Sequence, residues 1–447
     1  MRILICSINF KPELTSTGKY AGEMVEWLAS RRHEIRVVTT PPHYPQWRIF
    51  SEYSPWQYKR EKHVPGAGSI GTIEVFRCPV WIPQVPRGWK RIVHLMSFSL
   101  SSWPAMLGQV FWRPDVVILI APTLFCSPQV LCTSRLSGAI AWLHIQDFEV
   151  DVAFQLRDFS SHQLRRWVHA IERFVLRKFD RISAVSDRMV ERLSAKGVDA
   201  ARSLLFPNWV DTSVIGPLPS PSPLRQELGI AEQAIVALYS GNMGKKQGLD
   251  LLIEASRRLT LRPDIQFVFC GDGPYRETFV RMAEEAGNVT ILPLQPAGRL
   301  NELLNLADIH LLPQLADAAD LVMPSKLTGM MASGRAVVAT ADAGTQVSIV
   351  LEGRGIVTPP EDVNAFVEAL ILLAEDPSLR HRMGEEARKY AIAHMDRDQI
   401  LRQFEMSLMQ SCGYSPSGSK AAFSTTQTGN LSVAQELAMA PRKGGDD

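Results

Sequence analysis

Cysteine is scarce and scattered: Cys6, Cys78, Cys126, Cys132, Cys270 and Cys412 are the six in 447 residues. None stands in a CxxC pair or beside a histidine cluster, which argues against a disulfide framework or a zinc site and fits a reducing cytoplasm. An excess of either charge is also missing, with 48 Lys and Arg against 46 Asp and Glu, a net +2 and a pI near 8.2. That balance points to no nucleic-acid partner. A membrane span needs about 20 apolar residues, and the nearest approach is Ile92 to Trp112, flanked by Lys90-Arg91 and Arg113. It carries no Asp, Glu, Lys or Arg but holds His94, Ser97, Ser99, Ser101, Ser102, Pro104 and Gln109. Those polar residues favour a buried helix or one lying on a membrane surface over a spanning one. MRILICSINF lacks the long apolar region and small-residue cleavage site of a signal peptide and reads as a first β-strand. Solenoid repeats are absent.

Present instead is the material for two cores, with 46% hydrophobic residues arranged in one grammar used twice. Short apolar runs at Ile3–Cys6, Ile35–Thr39, Val116–Ile120, Ile140–Leu143 and Arg181–Val185 alternate with helical patterns. The alternation restarts near Ile235 and continues through Gln266–Cys270, Val289–Leu292, Ile309–Pro313 and Ala336–Thr340. This predicts an α/β protein with parallel βαβ units in both halves. Four prolines between Gly216 and Pro223 mark a stiff, poorly packing connector. The divisions are therefore a domain over 1–215, a linker over 216–223, a second domain over 224–376, C-terminal helices over 377–410 that pack back on the first domain, and a disordered tail over 411–447.

Three turns of the second half follow strands. Tyr239 to Gly248, YSGNMGKKQG, precedes a helix over Leu249–Leu259. Gly241 lets the backbone approach a ligand, and Lys245 and Lys246 offer charge to a diphosphate, although a plain βα turn has the same make-up. Gly271-Asp272-Gly273-Pro274 is a truncated GxGxxG or simply a tight turn. In the third, Met323-Pro324-Ser325 breaks any preceding helix, Lys326 to Ser333 forms roughly two turns, and Gly334 ends them. Ser325 and Lys326 thus meet free N–H groups and a helix dipole, a place for phosphate. Ligands of open α/β sheets bind at such carboxyl strand ends.

In the first half, Lys11 to Tyr20 is long for a βα turn and lacks GxGxxG. Leu143 to Asp151 gathers His144, Asp147, Glu149 and Asp151 at a strand end. They are candidates for acid–base work or charge stabilisation, with an acidic surface loop and a structural histidine as the plainer reading. From Gln163 to Phe179, Leu164, Trp167, Val168, Ile171, Phe174 and Val175 share one helical face amid Arg165, Arg166, Arg173, Arg177 and Lys178. That face predicts core packing, or contact with anionic lipid headgroups.

These segments, with Ser183–Ser186 and Pro207–Asp211, follow in order the motifs of a known family over roughly residues 1–400. The chain resembles retaining GT-B glycosyltransferases of family 4, and among them the bacterial colanic-acid and exopolysaccharide enzymes. The resemblance implies two Rossmann-like domains facing a cleft, with the donor nucleotide sugar on the second and the acceptor on the first. It implies catalysis through Asp147, His144 or Glu149, no cofactor, no obligatory metal, and donor contacts at Gly18, Gly241, Asn242, Lys245, Lys246, Gly271, Gly273, Ser325, Lys326 and Asp320. The expected partners are a UDP- or GDP-sugar, a polyprenyl-diphosphate-linked saccharide and the anionic inner face of the cytoplasmic membrane. The chain departs from the family's E-x7-E, which falls on Leu321 and Gly329, with Asp320 next to the first position. The customary Arg and Lys of the diphosphate loop fall on Asn242 and Gln247, leaving Lys245, Lys246 and Lys326 to supply charge. An epimerase of the same fold and an inactive scaffold are the alternatives.

Overall fold

The computed structural model describes residues 1–13, 16–63, 71–84, 88–148, 162–244, 247–283, 287–315 and 324–414. The first domain begins β1 (Arg2–Ser7), α1 (Ser16–Ser30), β2 (Glu34–Thr39), β3 (Lys59–His63), β4 (Ile73–Arg77) and α2 (Trp89–Gly108). It continues β5 (Val116–Ala121), α3 (Ser127–Ser137), β6 (Ile140–Ile145), α4 (His162–Leu176), β7 (Arg181–Ala184), α5 (Asp187–Ala195) and β8 (Ser203–Leu205). Its sheet runs β3-β4-β2-β1-β5-β6-β7-β8, parallel except for β3.

β1 is the centre, pairing Ile3 with Ile35 on one side and Val116 on the other. Alternation along the strands sends Leu4, Cys6, Leu119, Leu143 and Ile182 into one core with Phe98 of α2, Val130 of α3, Leu176 of α4 and Met189 of α5. Ile3, Ile5, Ile118 and Trp142 point the other way, against Met24 and Leu28 of α1. β3 escapes an apolar-run reading because its sequence is KREKH; it is an edge strand held by ion pairs such as Arg60 to Glu74 at 2.8 Å.

The second domain holds α6 (Pro223–Glu227), β9 (Ile235–Ser240), α7 (Leu249–Arg258), β10 (Ile265–Cys270), α8 (Arg276–Ala283), β11 (Val289–Leu292), α9 (Leu300–Leu306) and β12 (Ile309–Leu312). It closes with α10 (Ser325–Ala332), β13 (Ala336–Thr340), α11 (Gln346–Leu351), β14 (Gly355–Thr358), α12 (Val363–Glu375) and α13 (Pro377–His394). The six strands are parallel in the order β11-β10-β9-β12-β13-β14. A last helix, α14 (Arg397–Ser411), returns to the first domain, where Phe404 stacks on Phe206 with centroids 3.8 Å apart and Ile400, Leu401 and Leu408 join the α1 core.

Two expectations are corrected. The proline-rich linker is packed, because α9 offers amide side chains: Gly216 N–H donates to Asn301 Oδ1 at 3.1 Å, Leu218 N–H to Asn305 Oδ1 at 3.1 Å, and Asn305 Nδ2 to the Gly216 carbonyl at 2.9 Å. Much of the apolar face of α4 stays out of the core: Trp167, Ile171 and Phe174 are 71%, 59% and 63% exposed, whereas Val175 packs against it. The buried side is Leu176 with Glu172, whose carboxylate is paired with Lys196 at 2.5 Å. Most of the expected disordered tail, from residue 415, lies outside the described residues.

Candidate active site

The second sheet brings three of the sequence's turns to one crevice. After β9 the chain adds strands in one direction, and after β12 in the other, so the gap between their carboxyl ends is a topological switch point. Gly241 leaves β9 at φ 142°, and a Cβ placed on it would stand 3.5 Å from Lys326 Cδ and 3.8 Å from Lys326 Nζ. A Cβ on Gly271 would fall 1.9 Å from the Gly241 carbonyl oxygen; on Gly273, at φ 154°, it would fall 2.4 Å from the Met243 oxygen and 2.6 Å from Asn242 Oδ1. Only glycine allows such close turns. They are laced together by Gly241 N–H to Cys270 O at 3.0 Å, Met243 N–H to Asp272 O at 2.8 Å and Tyr275 N–H to Met243 O at 2.9 Å.

Lys326 is the unusual group here. α10 starts after Pro324 without a side-chain cap, so its first N–H groups point outward unclaimed by any capping side chain. The Lys326 stem is partly exposed, yet its Nζ is buried and has no hydrogen-bond partner among the described residues. It lies 4.2 Å from the centroid of the Tyr239 ring, whose hydroxyl donates to the Asn242 carbonyl at 2.6 Å. Burial pushes the Lys326 pKa down to about 7. Two more buried acceptors on the adjoining loops, Gln247 Oε1 and Gln314 Oε1, also lack partners among the described residues. Unsatisfied buried polar atoms are costly, and their position at a switch point makes this the candidate ligand site.

The first domain closes over this crevice. Thr328 and Ser325 of α10 face the buried phenol of Tyr20 on α1, which burial holds above the usual tyrosine range. Gly18, two residues before it, lies against Glu13, with 2.9 Å between a Cβ placed on it and Glu13 Cβ. Glu13 is itself buried, accepting from the backbone N–H groups of His43 and Tyr44 at 2.8 and 2.9 Å and from Asn9 Nδ2 at 2.8 Å. Asp147 is half-buried beyond β6, and its charge reaches the Tyr44 phenol.

His144 has no hydrogen-bonding nitrogen to spare. Its Nδ1 is 3.0 Å from Ser183 Oγ, its Nε2 is 2.8 Å from the Gln146 amide nitrogen, and its ring lies 4.8 Å from that of Phe206. An amide nitrogen only donates, so Nε2 accepts and Nδ1 carries the hydrogen. Burial accordingly drives the pKa to about 3. Glu149, Lys245, Lys246, Asp320 and Leu321 lie outside the described residues. The other E-x7-E position, Gly329, has Leu304 at its back, with 3.3 Å from a placed Cβ to Leu304 Cδ1. Sequence reasoning does not single out Glu13, Tyr20 or Gln314 as site residues; their signal, polar or aromatic residues in loops and first turns, is common on any surface.

Two family models match this geometry's sequence, one for a glycosyl transferase 4-like domain over residues 16–209 and one for glycosyl transferases group 1 over residues 222–390. WcaI of Escherichia coli (strain K12), described as a putative colanic acid biosynthesis glycosyl transferase, is 40% identical over 414 residues, covering 90% of this chain and 98% of its own. The chain belongs to the group 1 glycosyltransferases. This glycosyltransferase shares its two-domain fold with sucrose-phosphate synthase of Thermosynechococcus elongatus, at TM-score 0.69 and 16% identity over 92% of this chain and 98% of that one. It shares it also with HepE of Anabaena, solved with UDP-glucose, at TM-score 0.65 and 16% identity over 92% of this chain and 100% of that one.

Proposed function

We propose that this glycosyltransferase moves a sugar from a UDP- or GDP-sugar to a polyprenyl-diphosphate-linked saccharide, retaining anomeric configuration, during exopolysaccharide synthesis of the colanic-acid kind. The observation that carries the donor half is the buried Nζ of Lys326, unpaired among the described residues, beside Gly241 at the uncapped start of α10. A diphosphate is the anion that such a set of N–H groups and one ammonium recognises. As the diphosphate departs it gains negative charge, and Lys326 with the α10 N–H groups stabilises it without a metal ion. Lys245 and Lys246 are assigned to the same task. The sugar gains positive character, which Asp147 stabilises from the first domain. His144 is assigned a positioning role: it pins Gln146 and so steadies the strand end that carries Asp147. An inactive scaffold would gain nothing from keeping an unpaired ammonium buried, which is why the active reading is preferred despite Gly329.

Membrane attachment supplies the lipid-linked acceptor. No described helix is long and apolar enough to cross a membrane. α2 and α4 share one side of the first sheet, through Phe98 and Leu176 in the same core. On α2, Trp89, Val93, Met96, Leu100, Leu107 and Phe111 just beyond its end are exposed at helical spacing, and Trp167, Ile171 and Phe174 repeat the pattern on α4. Lys90, Arg91, Arg113, Arg173, Arg177 and Lys178 accompany them. Aromatic and aliphatic tips ringed by cations suit an anionic bilayer surface. The transfer reading is tested by incubating the protein with UDP- and GDP-sugars and bacterial lipid extract and following products by mass spectrometry. One donor consumed with a mass shift on a lipid-linked saccharide supports it, and no turnover of any donor refutes it.

A further inference from the structure

At the carboxyl end of the first sheet lies an aromatic cluster that the donor site does not use. The segment after β2 places His43, Tyr44 and Trp47 at the carboxyl edge of the sheet, and α2 brings His94 against them. The Trp47 ring lies 5.1 Å from His94, 5.9 Å from His43 and 6.4 Å from Tyr44, each near edge-on. Trp47 adopts φ 54°, a left-handed backbone that a bulky residue rarely takes, and it stays half-exposed there. Both imidazoles are buried behind it and neutral. His43 Nδ1 donates to the Pro41 carbonyl at 3.0 Å and His94 Nδ1 to the Trp81 carbonyl at 2.7 Å, leaving a lone pair on each Nε2. Burial lowers both pKa values, that of His94 to about 4.

The cluster is fixed to the reaction cleft on two sides. Glu13 clasps the His43 and Tyr44 N–H groups from the loop that leads into α1, the helix whose Tyr20 meets α10. Tyr44 also feels the negative charge of Asp147 and the positive charge of Arg91. Arg91 opens α2, so the cluster sits where the exposed apolar stripe of that helix reaches the cleft.

We infer that Trp47, flanked by Tyr44 and backed by His43 and His94, is the platform on which the acceptor's terminal sugar ring stacks. An indole face takes the apolar C–H side of a pyranose, and the neutral imidazoles buried behind it set no charge at its back. The site selects an uncharged pyranose end, with the lipid-borne remainder leading out along Arg91 and α2. That the bound sugar is an acceptor rests on the glycosyl-transfer reading, whereas its binding is measured without turnover.

The experiment is saturation-transfer NMR on the full chain with methyl α-glycosides of glucose, galactose, mannose and fucose, alongside UDP and GDP titrations. The wild type is expected to saturate the ring C–H protons of at least one glycoside. Trp47→Ala and the apolar but non-aromatic Trp47→Leu are each expected to weaken that glycoside's affinity at least about tenfold, with nucleotide affinity unchanged. Nucleotide binding and melting temperature report whether each variant folds, so either one that does carries the test. Equal glycoside affinity in a folded variant, or no saturation in a wild type that binds UDP or GDP, overturns the platform. Absence of nucleotide binding alone would instead strike the donor reading.

Discussion

Two buried cations, one in each domain, show what separates structure from function in this molecule. Arg77 in the first domain is 2% exposed and fully engaged: it reaches Glu61 at 2.7 Å, the Thr40 carbonyl at 2.9 Å and the Lys11 carbonyl at 2.7 Å. Lys326 in the second domain buries its ammonium with no hydrogen-bond partner among the described residues. A satisfied buried charge holds chain segments in place, here β3, β4 and the first loop. An unsatisfied one raises the free energy of the empty protein and lowers that of whatever complex supplies the missing anion. The same types of atom therefore do opposite work, and the hydrogen-bond partners tell them apart.

Removing each cation breaks the comparison most sharply. Arg77→Met leaves Glu61 without its closest partner, and thermal or urea melting should show a loss of about 3–5 kcal/mol. Lys326→Met deletes an unpaired charge, so the melt should be unchanged or higher, while turnover at low donor concentration collapses. If Lys326→Met melts like Arg77→Met, Lys326 has structural partners and the contrast is false.

The second largest effect is in pH. With the empty-site pKa near 7 and a charged lysine in the complex, donor binding needs no proton below pH 7. Above it, one proton must be taken up, so donor KM should rise roughly tenfold per pH unit until the complex's own higher pKa is reached. Lys326→Arg, charged throughout, should flatten that limb. A rise in KM on acidification would carry the wrong sign. His144, already neutral, contributes no limb between about pH 5 and 9, whereas Asp147→Ala should lower kcat more than donor KM.

Smaller effects concern the outer face. Phe111, 90% exposed, should contribute to vesicle binding, and Phe111→Asp should weaken flotation with anionic liposomes by about tenfold, from roughly half the 1.5–3 kcal/mol of a buried phenylalanine. Neutral vesicles should bind poorly throughout. Smallest of all, exhaustive EDTA treatment should leave turnover intact; a loss restored by Mg²⁺ would reassign the diphosphate's neutralisation.

Much of the fold is legible in the sequence because parallel strands are apolar runs: Ile3–Cys6, Val116–Ile120 and Ala336–Thr340 lie inside β1, β5 and β13. β3 is not, since KREKH is stabilised by ion pairs across the strand boundary rather than by its own burial. The face of α4 misleads for a related reason. An amphipathic stripe states that one side is apolar, not that this side meets the sheet, and here Trp167, Ile171 and Phe174 point away from it. At the site, Pro324-Ser325-Lys326 is readable as a helix start, but a missing partner is a property of the packed molecule. His144 illustrates the converse. Period-two alternation puts it on the side of Trp142, both reaching Ser183 Oγ at 3.0 Å, so its inward position is written in the strand and obscured by the acidic residues beyond it.

The donor half of the proposed reaction depends on Lys326 supplying the counter-charge to the diphosphate. Isothermal calorimetry of UDP and GDP against the wild type and Lys326→Met at about pH 6.5, below the lysine's pKa, isolates that charge. The expected result is a nucleotide bound by the wild type and weakened at least about 100-fold, some 2.8 kcal/mol, in the variant. Equal affinities for the two proteins would contradict it.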